Sequence, residues 1–289
     1  MSKILVATDF SPRSDRALRR AILTARQIAA ELVLFHALDD DLPDRLLSMQ
    51  RTVSTELLTE LAETITASDG ISCSYRLAQG DPFRALIDTA REIAPGIIVL
   101  GPHRRDLLKD IFVGTTAERT IRESAVPVIM ANGVPAGPYQ RILIATDFSA
   151  CSVAATQVAQ HLGLLDTADV TVLHVLDTPE KSMMQRSLMS GDEIEDYELA
   201  AKAEAADAMH GFLKSTALRP VAQIIAPVEL SISETIRREV REARPDLLIV
   251  GTRGRSGIEK FFLGSVAEEI LKLSDVDVLA APAPEPLKA

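Results

Sequence analysis

The chain is poor in the residues that most often announce a chemistry. Cysteine occurs only twice, as Cys73 and Cys151, one in each half. The two form no Cys-x-x-Cys pair and have no metal-type spacing with histidine, which argues for free, reduced thiols in a cytosolic protein. Positive charge is also scarce. Against 41 Asp and Glu stand 31 Lys and Arg, for a net charge of −10 and a pI near 5.1. Non-specific binding to nucleic acid or to an anionic membrane is disfavoured, because phosphate-rich surfaces need clustered Lys and Arg. A single small anion held by backbone N–H groups is still compatible. No apolar run approaches the roughly 20 residues of a membrane span. The opening MSKILVATDF lacks a basic stretch followed by a long apolar core, so no secretory leader is expected. The P-loop pattern G-x4-G-K-[ST] is missing, which excludes a P-loop NTPase. Apolar residues at 47% and charged residues at 25% are ordinary for a globular protein, and 289 residues allow about two domains.

What is present is a duplication. KILVATDFS at 3–11 returns as RILIATDFS at 141–149, an offset of 138 residues. GIIVLG at 96–101 answers DLLIVG at 246–251, and FVGTTAERTI at 112–121 answers FLGSVAEEIL at 262–271, now at an offset of 150. The second copy therefore carries 12 extra residues, which the reading places in 177–199. Between the copies ANGVPAGPY, 131–139, reads as a linker, so the expected domains are 1–137 and 138–289.

Each copy alternates strand and helix. In the first, KILVAT is a buried-strand run, a helix spans about Pro12 to Ala30, LVLFHA is the second strand and 44–67 a long helix. SCSYRLA follows, then a helix that Asp81 caps, Pro82 opens and Pro95 ends. GIIVLG, a helix at 115–124 and VPVIMA complete the copy. In the second copy SISE at 231–234 has the capping-box pattern. This order predicts an α/β fold: two tandem doubly wound domains, each a five-stranded parallel sheet of order 3-2-1-4-5 with about four helices. Ligands of such sheets sit beyond the carboxyl ends of the strands, where the order reverses. That crevice would bring TDFS together with the glycine-rich segment GTRGRSGIEKFFLGS at 251–265. The fifth strands would be apolar sheet edges, and such edges invite pairing.

The second copy has Gly251, two residues, Gly254, nine residues, then Gly264 and Ser265. With Asp147 after the first strand and the tandem order, this resembles the universal stress protein family and its nucleotide pattern G-x2-G-x9-G-[ST]. The resemblance covers nearly the whole chain. The glycines let backbone approach a ligand without a Cβ. Gly264 and Ser265 open a helix whose free N–H groups favour phosphate, and Arg253 and Arg255 add charge. The resemblance implies that ATP or another adenine nucleotide, with Mg²⁺ as a candidate companion, binds in the second domain. It implies that Asp147 contacts ribose or adenine and that Val175 lines the adenine pocket beside the backbone of Ala145 and Thr146. Val250 and Val266 flank the glycine motif. It further implies a cytoplasmic stress-response regulator, non-catalytic or at most a slow ATPase. The family commonly pairs through the fifth strand, so an internal pseudo-dimer and a further homodimer are expected, with no nucleic-acid partner.

The first copy departs from the pattern. It keeps Asp9, Gly101, Gly114 and Thr115 but has Arg104 where the second glycine belongs, so it is expected to bind nucleotide weakly or not at all. Arg104 would instead contact a phosphate or a carboxylate. Asp9 and Asp147 have an alternative role as helix caps. His36 and His174 recur near the end of strand two and read as packed histidines bonded to backbone, and no catalytic set or metal site is expected. Asp277 replaces Pro127 in the last strand, read as a departure at the sheet edge. The Met-rich KSMMQRSLM at 181–189 reads as a loop leading into a helix, with a lid or partner contact as the alternative. Two other functions stay open: a pocket that holds an apolar or other small ligand, and a scaffold that acts through surfaces alone.

Overall fold

A computed structural model describes residues 2–38, 41–102, 116–178, 191–252 and 263–282. The first half contains β1 (Lys3–Ala7), α1 (Pro12–Ile28), β2 (Glu31–Leu38), α2 (Asp44–Asp69), β3 (Cys73–Gln79), α3 (Pro82–Ile93), β4 (Ile97–Leu100), α4 (Thr116–Glu123) and β5 (Val128–Met130). The second contains β6 (Arg141–Ala145), α5 (Ala150–His161), β7 (Asp169–Leu176), α6 (Gly191–Thr216), β8 (Ala222–Pro227), α7 (Ile232–Ala243), β9 (Leu247–Gly251), α8 (Ser265–Leu273) and β10 (Asp277–Ala281). The helix expected to run to Ala30 stops at Ile28, because Ala29 turns into the left-handed region as its C-cap. The α3 cap is the one its sequence announces: Asp81 accepts the Arg84 N–H at 2.9 Å, and Pro82 opens the first turn.

Among the described residues the ten strands belong to one sheet, ordered β3-β2-β1-β4-β5-β10-β9-β6-β7-β8. Every neighbouring pair is parallel except β5–β10. The central strands are apolar on consecutive residues because both faces are covered. Ile4 and Val6 face one layer and Leu5 the other, as the two-residue period of a strand requires. The first layer packs Ala17, Ala21, Leu58, Ala155 and Phe212 from α1, α2, α5 and α6. The second packs Leu86, Ile121, Ile236 and Ile270 from α3, α4, α7 and α8.

The fifth strands are not edges. They pair with each other, antiparallel, with Val128 opposite Ala280, Ile129 opposite Leu279 and Met130 opposite Val278. Asp277 is corrected with them: it lies inside the sheet and is fully buried. A carboxylate can be buried there only with partners that replace water. Arg20 of α1 supplies the cation, its Nε 2.7 Å from Oδ2. The Tyr139 hydroxyl donates to Oδ2 at 2.9 Å and the Gly133 N–H to Oδ1 at 2.8 Å. The Arg20 guanidinium lies 4.0 Å from the centre of the Tyr139 ring. One buried cluster thus ties a first-half helix and the linker to the last strand.

Candidate functional site

Both halves build the same corner after their first strand. In the second half β6 ends at Ala145 and the chain turns through Thr146, Asp147, Phe148 and Ser149 into α5. Phe148 has φ 63°, a left-handed conformation that costs an L-residue about 1–2 kcal/mol. Hydrogen bonds hold it there. The Phe148 N–H donates to the Thr146 hydroxyl at 2.9 Å and the Ser149 N–H to Asp147 Oδ1 at 3.0 Å. The Thr146 hydroxyl meets that of Ser152 at 2.9 Å. His174 Nδ1 lies 2.8 Å from the Thr146 carbonyl, so Nδ1 carries the proton, and its ring packs 4.2 Å from Phe148. The first half repeats each contact with Thr8, Asp9, Phe10, Ser11, Ser14 and His36, and Phe10 has φ 58°.

The packed-histidine reading therefore holds for His36 and His174. The helix-cap reading of the two aspartates needs correction. Ser11 and Ser149 are the N-caps, accepting the N–H groups of Ser14 and Ser152. The aspartates act one step earlier, on the N–H of the capping serine. Burial pushes the Asp9 carboxyl up, but its hydrogen bonds with Ser11 and Ser14 and the nearby Arg13 guanidinium outweigh it, leaving the carboxyl below its usual range.

A cavity of about 290 Å³ opens at the carboxyl ends of β6, β7 and β9. Nine sequence-predicted residues line it: Ala145, Thr146, Asp147, Val175, Val250, Gly251, Gly264, Ser265 and Val266. They come from segments more than a hundred residues apart, brought together because β6 lies between β7 and β9 at the reversal of strand order. Arg253 and Gly254 lie outside the described residues, as do Arg104, Gly114 and Thr115. In the first half Asp9 follows β1 and Gly101 follows β4, so these two meet at the equivalent end of the sheet. The Met-rich 181–189 segment is likewise outside the described residues.

Gly251 has a packing reason beside the one its motif suggests. A Cβ there would stand 3.1 Å from the carbonyl carbon of Cys151 and 3.1 Å from the Ser152 nitrogen. At Gly101 the clash would be with the Arg13 carbonyl oxygen at 2.8 Å. Each glycine lets the strand end pass against the first turn of the helix that follows the corner. Gly264 is the N-cap of α8, and no side chain caps that helix. Its N–H donates to the Thr252 carbonyl at 2.9 Å, so the two ends of the glycine-rich segment are pinned together.

The sequence reading missed Ser152, Leu173, His174, Ile232, Ile236 and Ala267 as lining residues. Ile232 and Ile236 were legible in retrospect as an i, i+4 apolar pair on the first turns of the helix that SISE opens. The cavity thus has aliphatic walls, one carboxylate at its corner, and a helix N-terminus with a serine hydroxyl at its mouth. Among the described residues no group of three His, Cys, Asp or Glu side chains is placed to hold a metal ion.

The sequence profile of the Universal stress protein family matches residues 1–132 and again residues 138–282. A universal stress protein of Mycobacterium tuberculosis is 22% identical over 224 residues, covering 76% of this chain and 72% of that protein. One from Methanocaldococcus jannaschii is 26% identical over 156 residues, covering 49% of this chain and 93% of that one. Among solved structures, a universal stress protein from Archaeoglobus fulgidus superposes with a TM-score of 0.69 at 19% identity, covering 98% of both chains. A universal stress protein structure from Pseudomonas aeruginosa gives 0.67 at 20% identity, covering 98% of this chain and 93% of that one.

Proposed function

The chain belongs to the universal stress protein family, and from that premise we propose that its second half binds ATP or a related adenine nucleotide and uses it to regulate rather than to catalyse. The observation that carries this reading is the convergence of Asp147, Gly251, Gly264 and Ser265 around one aliphatic-walled cavity. An adenine ring fits between the side chains of Val175, Ile232, Ile236 and Val250, where burial of apolar surface supplies affinity. The Asp147 carboxylate accepts from ribose hydroxyls. Phosphate oxygens take the N–H groups at the start of α8 and the Ser265 hydroxyl, which suits an uncapped helix N-terminus. Mg²⁺ would come with the phosphates.

On this reading, hydrolysis of ATP is at most slow. The first half is proposed to lack nucleotide, on the strength of Arg104 at the second glycine of its motif. The antiparallel β5–β10 pairing is read as an internal pseudo-dimer of two domains that divide near Pro138. No helix among the described residues is long and apolar enough to cross a membrane, and the two reduced thiols favour a cytoplasmic location.

The test is thermal shift of nucleotide-stripped protein with ATP, compared between the wild type and Gly264→Asp. Aspartate is a good N-cap, and φ −63°, ψ 143° at Gly264 admits an L-residue; the unliganded melting point of the variant checks that it is folded. Its carboxylate takes the N–H groups that the phosphate needs. ATP should stabilise the wild type and leave the variant unmoved; equal stabilisation of both would remove α8 from the site. The aliphatic walls also suit another apolar small ligand. Native mass spectrometry of freshly purified protein separates the two: a bound mass that is not a nucleotide supports the second reading.

A further inference from the structure

The two long helices α2 and α6 occupy matching places in the two halves. They bury Leu58, Ala62 and Ile65 in one and Ala205, Met209 and Phe212 in the other, at the same spacing. Their solvent-facing sides differ. On α2, Leu46, Met49, Val53 and Leu57 are 50%, 58%, 54% and 42% exposed. Their three- and four-residue spacing makes one continuous stripe. The matching positions of α6 are Glu193, Asp196, Ala200 and Glu204, all exposed. The same fold in the same chain therefore does without these apolar side chains, so packing inside the protein does not demand them. Four large aliphatic side chains in a row on an exposed helix mark an interaction surface.

We infer that this stripe pairs with its own copy in a second chain, α2 against α2, antiparallel. Two features select that partner. The stripe is close to palindromic: in an antiparallel pair Leu46 meets Leu57 of the partner subunit, and Met49 meets the partner's Val53. Charge selects the direction. Arg45, Glu56 and Glu60 lie on the solvent side of the stripe, within about 90° of its centre at 3.6 residues per turn. Antiparallel packing brings Arg45 of one chain to Glu56 and Glu60 of the other, twice over by symmetry. Parallel packing would turn these flank charges toward the partner's opposite flank and lose both pairs. A chain of net charge −10 repels its copy at long range, so a local apolar stripe with its own salt bridges has to overcome that repulsion.

The test is sedimentation velocity of the full chain across micromolar concentrations. The wild type should form a dimer. Val53→Glu/Leu57→Glu should weaken it by about a hundredfold or more, since the burial of two aliphatic side chains on each chain is lost and charge is placed in the seam. Arg45→Glu should weaken it less and be rescued by Glu56→Arg/Glu60→Arg in the same chain. Direction is read in a Cys73→Ser/Cys151→Ser background: chains with Met49→Cys should cross-link to chains with Val53→Cys faster than either links to itself. A monomeric wild type, a dimer untouched by the double variant, or like-with-like cross-linking would each overturn the proposal. Should the double variant fail to fold, the cross-linking result decides alone.

Discussion

The two halves share a scaffold and differ in what they place on it. The corner after the first strand is the same in both, down to the left-handed phenylalanine, the histidine under it and the serine cap. The glycine that lets the strand end pass the following helix is also kept. Beyond the outer faces of α2 and α6, the halves also differ where their third and fourth helices meet. In the first half Phe83 lies under the Arg119 guanidinium at 4.1 Å, and Arg119 reaches Asp81 at 3.3 Å. At the matching place the second half has Ser233 donating to Glu269 at 2.6 Å, and the neighbouring Ile232 faces the cavity. Duplication has preserved the device that shapes a crossover loop and left the surrounding side chains free to diverge.

The largest expected effect tests what joins the halves. Asp277→Asn leaves the Arg20 guanidinium, 5% exposed, without its counter-charge. Urea denaturation should show a loss of about 3–5 kcal/mol; a loss under 1 kcal/mol would show that the seam stands without the ion pair. Next come the paired glycines. Gly101→Ala and Gly251→Ala should each cost about 1–3 kcal/mol by overpacking. Gly101 should be the worse, because its clash is at 2.8 Å against 3.1 Å and falls on a carbonyl oxygen. The reverse order would mean that the two corners are not equivalent. Smaller still, Ser11→Ala and Ser149→Ala should cost about 1 kcal/mol each, and nearly the same amount, if the caps are truly duplicated.

The smallest effect separates the halves by pH. The Arg84 N–H and the nearby Arg119 hold the Asp81 carboxyl below its ordinary value of 3.8 despite slight burial. A lowered folded-state pKa gives stability that is present above 3.8 and lost as pH falls through the folded value. Ser231 caps the matching helix without a charge. Asp81→Asn should therefore flatten a small part of the acid limb of the stability curve, and Ser231→Ala should shift stability equally at all pH values.

Run lengths made the fold readable. Short apolar strands such as IIVL can only be buried on both faces, and the alternation with helices leaves a parallel sheet as the arrangement that covers them. The nine cavity residues were readable because strand order forces the ends of the first and fourth strands together. Other features were hidden for physical reasons. Asp277 looked like an edge substitution, since nothing local to it points to Arg20, over 250 residues earlier, as its counter-ion. The packing role of Gly251 was hidden, since a glycine required by a passing helix and one required by a phosphate are the same letter. Leu173 was hidden by the strand period, which reveals two faces but not which one opens into a cavity.

The central claim is that one half kept a nucleotide site and the other kept only its scaffold. Titration calorimetry of nucleotide-stripped protein with ATP and Mg²⁺ tests it most directly. The account predicts one site per chain, lost in Gly264→Asp. Two sites per chain, or a single site that survives Gly264→Asp, would contradict it.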